Sequence, residues 1–136
     1  MSYEGGNTVH SEDLPWLPLA PKVDIKVLNT DEATGEFSVM IRAAPGGVLP
    51  RHQHIESAEI LILKGAGHHP QTGDYRVGDY ITEPKGALHD AVEFGEETLL
   101  FMTCKGPSAF LAPDDSVMHV MNVPMLRGLA AAHARA

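Results

Sequence analysis

Residues 50–65 read PRHQHIESAEILILKG. His52 and His54 stand one residue apart, just ahead of a largely apolar run from Ala58 to Leu63. Successive side chains of a strand point to opposite faces, so the two imidazoles share one face and Gln53 takes the other. Two histidines converging on the inside of a sheet give metal-ligand geometry. Glu59 follows His54 by five positions, which strict alternation sends to the opposite face. It joins the histidines only if a bulge or turn around residues 55–57 resets the phase.

The same strand-and-turn character extends along the chain. VDIKVLN (residues 23–29), the turn DEATG and EFSVMIRA (36–43) read as a hairpin, with Phe37, Val39 and Ile41 on one face. After the APGG turn come the histidine strand, AEILILK, the Gly- and Pro-containing segment GAGHHPQTGDYRVGDY, then ITEPKGALHDAVEF and ETLLFMTCK. At least seven short strands at this spacing predict an all-β antiparallel sandwich or small barrel. A helix is expected only in PMLRGLAAAHAR near the C-terminus, with Pro124 in its first turn. DLPWLPLAPKV brings three prolines and the single Trp16, so residues 1–22 are expected to form an extended arm. Residues 23–122 are then the barrel and 123–136 the helical tail.

With 136 residues the chain suits one domain. Ten Lys and Arg against eighteen Asp and Glu leave a formal charge of −8, which repels phosphate backbones and anionic lipid and excludes nucleic acid as an expected partner. The one cysteine, Cys104, rules out a disulfide framework and a cysteine zinc site, and fits a reducing compartment such as the cytoplasm. The N-terminal residues show no apolar export core, and no apolar run is long enough for a membrane span.

The spacing Gly46-x5-His52-x-His54-x4-Glu59-x5-Gly65 resembles the first motif of the cupin superfamily, and Gly78-x5-Pro84-x-Gly86-x2-His89 resembles its second. Two departures stand out: Glu93 replaces the final Asn of the second motif, and the interval from Glu59 to Gly65 is one residue short. Within the superfamily the chain is most similar to the group that holds acetylacetone-cleaving dioxygenases, 2,4'-dihydroxyacetophenone dioxygenases and the cupin part of ChrR-type anti-sigma factors. The similarity is carried by DLPWLPLAPKV, ATGEFSVMIRAAPG, KGALHDAVEF and GPSAFL. It implies a double-stranded β-helix, a jelly-roll barrel, binding one divalent metal, commonly Fe(II), on His52, His54 and His89. Glu59 is a possible fourth ligand, and Glu83 matches a carboxylate that supports the site. Ala66 stands where relatives often carry Arg.

Neutral imidazoles hold Fe(II), Mn(II), Ni(II) or Zn(II), and positions left open let an enolate chelate the ion beside dioxygen. The leading expectation is a dioxygenase that cleaves a carbon–carbon bond of a β-diketone or hydroxyketone, with Glu59 and Glu83 as its acidic groups. The rivals are a non-catalytic sensor of metal or small molecules and an oxygen-independent isomerase or hydrolase. The alternative for His52 and His54 is a pair of plain polar residues in a hairpin. His68 and His69 are adjacent, so at most one can enter a cavity, where it would contact substrate. His10, His119 and His133 read as ordinary polar residues, and Cys104 as a small buried hydrophobe. Exposed sheet edges favour a homodimer or homotetramer.

Overall fold

The computed structural model describes residues 5–136; Met1 to Glu4, which open the expected arm, lie outside the described residues. A six-stranded antiparallel sheet runs in the order β1 (Leu17–Ala20), β2 (Val23–Thr30), β3 (Phe37–Ala43), β12 (Thr98–Cys104), β6 (Ala58–Lys64), β9 (Tyr80–Glu83). Opposite it lies a four-stranded sheet, β10 (Leu88–His89), β5 (His52–His54), β13 (Ser108–Leu111), β14 (Val117–Met121). Two short pairs complete the barrel: β4 (Val48–Leu49) with β11 (Val92–Glu93), and β7 (Gly67–His69) with β8 (Gly73–Tyr75). The fold is the all-β one expected, with one α-helix among the described residues, α1 (Val123–Ala134), at the C-terminal end.

Alternation builds the core. In β3 the residues Phe37, Val39, Ile41 and Ala43 are buried while those between them are half-buried, and β12 buries Thr98, Leu100, Met102 and Cys104 in the same rhythm. The two strands pair along their whole length, Leu100 opposite Ile41 and Met102 opposite Val39, which sets one continuous apolar face. That face meets Phe110 and Met121 from the second sheet in a common core. Burying a side chain such as Ile41 or Leu100 stabilises the fold by about 1.5–3 kcal/mol.

The β2–β3 hairpin forms as its sequence predicts. Asp31 Oδ1 accepts from the backbone N–H groups of Ala33 and Thr34, and Gly35 at φ +81° donates its N–H back to the Asp31 carbonyl. The arm is more ordered than a loose strap: Leu17, 1% exposed, faces the core, and β1 pairs with β2 as the edge of the large sheet. The cations of Lys26 and Arg42 both lie over the Trp16 ring, 4.7 and 4.3 Å from its centre. At the other end, the Asn122 side chain caps α1 by accepting from the Met125 N–H, and Leu126, wholly buried, pins the helix to the barrel. No helix among the described residues is long and apolar enough to cross a membrane.

Candidate metal centre

β5 is three residues long and buries its first and last, so His52 and His54 both enter the barrel while Gln53 is exposed. Pairing on either side of β5 delivers the remaining groups. His89 of β10 lies directly opposite His52, and Ser108 of β13 lies opposite His54. The turn between Glu83 and His89 fixes β10: Ala87 N–H donates to the Pro84 carbonyl, with Gly86 at φ +83° in the position that favours glycine. Gly86 N–H and the Ala87 carbonyl then bond the backbone of His54, clamping the turn onto β5. Three imidazoles result, with ring centres 5.0 Å (His52 to His54), 5.3 Å (His52 to His89) and 5.3 Å (His54 to His89) apart.

Glu83 enters from the last position of β9, on the opposite sheet, and is 2% exposed. Its Oε2 lies 2.9 Å from His54 Nε2 and 2.6 Å from His89 Nε2. Burial alone would raise its pKa, but the contacts with His54 and His89 outweigh burial and hold its carboxyl well below the usual carboxylate range. Burial lowers the His52 pKa to about 4, so that ring is neutral at physiological pH. Its Nδ1 lies 2.9 Å from the Pro50 carbonyl, which can only accept; Nδ1 therefore carries the proton, and Nε2 turns a lone pair inward. His54 Nδ1 has Ser108 Oγ at 3.0 Å, a hydroxyl that can accept in the same way.

The donor set fits a first-row divalent ion. Two overlapping groups, His52 with His54 and Glu83, and His69 with Glu83 and His89, each bring their ligand atoms within 4.8 Å of one another. His89 is the most telling member. Both its ring nitrogens are buried without a hydrogen-bond partner among the described residues, and its short contact with Glu83 is off the line of a hydrogen bond. Buried polar atoms are ordinarily satisfied, so an imidazole left this way has a lone pair free to hold an ion.

Of the residues expected from sequence, His52, His54, His89 and Glu83 come together at this point. Glu59 does not, and that expectation is corrected. The bend at Ile55 and Glu56 leaves the alternation in phase, so Ala58 (2% exposed) faces inward and Glu59 is exposed on the outer face of β6. Ala58 is the cross-strand partner of Glu83. A methyl group thus occupies the inward position on β6, and the carboxylate reaches the site from the neighbouring strand instead. The pair His68 and His69 splits as alternation requires: His68 is exposed beside Asp74 at 2.8 Å, while His69 is buried with its ring centre 4.6 Å from that of His89. His69 is thereby a fourth histidine of the centre, which the sequence named only as a possible substrate contact. His119 is exposed and stacks on Phe110, whose other neighbour is His52.

The centre opens on a narrow cavity of about 50 Å³, walled by apolar side chains of both sheets such as Ile41, Ile60, Leu100, Met102 and Phe110. One polar end, supplied by the histidines and Glu83, faces an otherwise apolar chamber.

Comparison with known proteins bears on the fold. The fold is shared with the crystal structure of an acetylacetone dioxygenase from Acinetobacter johnsonii (20% identity, TM-score 0.81, 97% of this chain and 94% of that one). It is shared equally with a protein from Methylibium petroleiphilum described as a candidate acetylacetone dioxygenase (22% identity, TM-score 0.86, 96% and 98%). The anti-sigma protein ChrR, solved in complex with SigE of Rhodobacter sphaeroides, matches more loosely (23% identity, TM-score 0.59), over 68% of this chain and 50% of that one. At these identities the likeness shows the fold alone. No sequence among the curated proteins matches the chain. The family model described as the ChrR cupin-like domain matches residues 4–109, most of the chain, and the protein therefore belongs to the ChrR cupin-like family.

Proposed function

We propose that the protein is a metal-dependent dioxygenase that cleaves a carbon–carbon bond of a short-chain β-diketone, using Fe(II) held by His52, His54 and His89. The observation that carries this reading is the meeting of three buried imidazoles with one buried carboxylate at the polar end of an apolar cavity. A dipositive ion held there supplies open coordination positions and the charge that favours an anionic, chelating enolate beside dioxygen. Glu83, at the edge of the site with Oε2 turned toward it, is placed to accept the proton that a β-diketone loses in forming its enolate. The apolar walls exclude water and orient the alkyl ends of the ligand. A chamber of only about 50 Å³ favours a small open-chain diketone over a bulkier aryl ketone. The reaction balances as one diketone plus one dioxygen giving one carboxylic acid and one 1,2-dicarbonyl, with both oxygen atoms retained in the products.

The test is oxygen uptake by protein loaded anaerobically with Fe(II), measured against a panel of β-diketones and hydroxyacetophenones. Uptake is expected with the smallest diketones and is lost in His89→Ala. Metal binding without uptake on any member of the panel would refute the dioxygenase reading. The match to the ChrR cupin-like domain favours one second reading, a sensor that binds a small ligand at this centre without converting it; ligand binding with no product in the same assay would select it.

A further inference from the structure

His69 differs from the other histidines of the centre in the direction of its proton. Its Nδ1 accepts the backbone N–H groups of Gln71 and Thr72, each at 3.2 Å. A ring nitrogen that accepts carries no proton, so the proton of this imidazole sits on Nε2. Nε2 faces the centre, 3.9 Å from Glu83 Oε2, and the ring stands at 89° to that of His89. His52 has the opposite arrangement, with its proton outward on Nδ1 and a lone pair inward. The two residues face one site with opposite chemistry: His52 offers a ligand atom, and His69 a donor.

The loop that imposes this tautomer is itself held. The Gln71 side chain donates to Asp90 Oδ2 at 2.8 Å and accepts from the Asp90 N–H at 3.0 Å. Asp90 directly follows His89 and ion-pairs with Arg51, the residue before His52. Arg51 also reaches Asp115 at 2.8 Å. The donors to His69 Nδ1 are therefore tied to both strands that carry the expected metal ligands.

We propose that His69 is a positioning residue and not a metal ligand: its fixed Nε2–H holds the Glu83 carboxylate at the edge of the site once the imidazoles of His54 and His89 turn their lone pairs to an ion. The proposal rests on the metal binding proposed above. In the present arrangement Glu83 Oε2 is approached by His54 Nε2 and His89 Nε2, the two nitrogens an ion would claim. Loading the site removes both partners. His69 Nε2, 3.9 Å away, is the third imidazole nitrogen facing that oxygen; it lies beyond hydrogen-bond distance in this arrangement and closes on Glu83 once His54 and His89 turn to the ion, while its proton is not available for displacement because Nδ1 is already engaged. Held by His69, Glu83 stays out of the coordination sphere and leaves positions open for a chelating substrate.

The experiment uses Co(II) and Zn(II) with neither oxygen nor substrate present. Long-range ¹H–¹⁵N spectra of the metal-free and Zn(II)-loaded protein read the His69 tautomer, and visible absorption with chelator competition compares Co(II)-loaded wild type, His69→Ala, His69→Gln and His52→Ala. A bare Nδ1 and a protonated Nε2 are expected in both states. His69→Ala is expected to change the Co(II) bands as Glu83 enters the coordination sphere, with affinity within about tenfold of wild type, the low end for loss of an outer partner. His52→Ala is expected to lose more than about 100-fold, beyond the range for such partners. His69→Gln, whose amide also donates, is expected to restore the wild-type bands. A metal-bound His69 Nε2, a loss in His69→Ala equal to that in His52→Ala, or unchanged bands in His69→Ala would each overturn the role of His69 while leaving the proposed function standing. Wild-type protein that binds neither ion would overturn both.

Discussion

The buried His52 makes the metal-free protein acid-sensitive in a definite window. Burial lowers its pKa in the folded state to about 4 from its ordinary 6.5. The unfolded chain therefore takes up a proton below pH 6.5 that the folded chain refuses until about pH 4. A group with a depressed pKa of this kind contributes its full stability above the unfolded value and loses it as pH falls toward the folded one. One pH unit inside the window is worth about 1.4 kcal/mol, so going from pH 7.5 to pH 5 crosses about one and a half units and costs about 2 kcal/mol. For a domain of this length that is about 6–10 °C in Tm. Burial also lowers the His69 pKa, which adds loss in the same direction. Glu83 is held low as well, but its contribution is lost only below about pH 4.5, outside the range measured. Thermal unfolding of the metal-free protein from pH 7.5 to 5, alongside His52→Gln, isolates the effect. The variant should show a decline shallower by about 2 kcal/mol. A wild-type Tm that is flat across the range, or a variant that falls as steeply as wild type, would refute the assignment of a neutral, desolvated His52.

Three further outcomes follow from burial and backbone geometry. Glu59→Gln, on the outer face of β6, should leave stability within about 0.5 kcal/mol and metal affinity unchanged, while Glu83→Ala should alter metal affinity in the same chelator competition. Gly65→Ala should destabilise by about 1–3 kcal/mol in urea unfolding, because the residue has φ +89° and an added Cβ would lie 2.4 Å from the Glu97 carbonyl oxygen. Cys104, whose pKa burial pushes up to about 12, should resist iodoacetamide at pH 8 in the folded protein and react once the protein is unfolded in urea.

Period-two alternation made most of this fold legible. It identified the inward row of β3, the shared face of His52 and His54, and the β2–β3 hairpin, because each depends only on neighbours in sequence and on one buried side of a sheet. The edge strand β1 was harder to see, since three prolines mask a segment whose order comes from Leu17 in the core and from Trp16 against two cations of β2 and β3. The same alternation carried enough information to settle Glu59. Counting in phase from His54 puts Ala58 inside and Glu59 outside; the spacing of the cupin motif suggested a reset that the bend at 55–56 does not make. What sequence could not supply was the register between distant strands. Ala58 faces Glu83 because β6 pairs with β9, and the small side chain at one position leaves space for the carboxylate at the other. His69 is a sharper case, since a strand pair of its own, β7 with β8, turns it inward, and the bend at residues 70–72 sets its proton. The candidate ligand residues were readable because two of them sit on one strand at a fixed spacing. Glu83 and His69, proposed to set how many positions an ion would keep open, come from other strands, and only the folded register brings them to the same point.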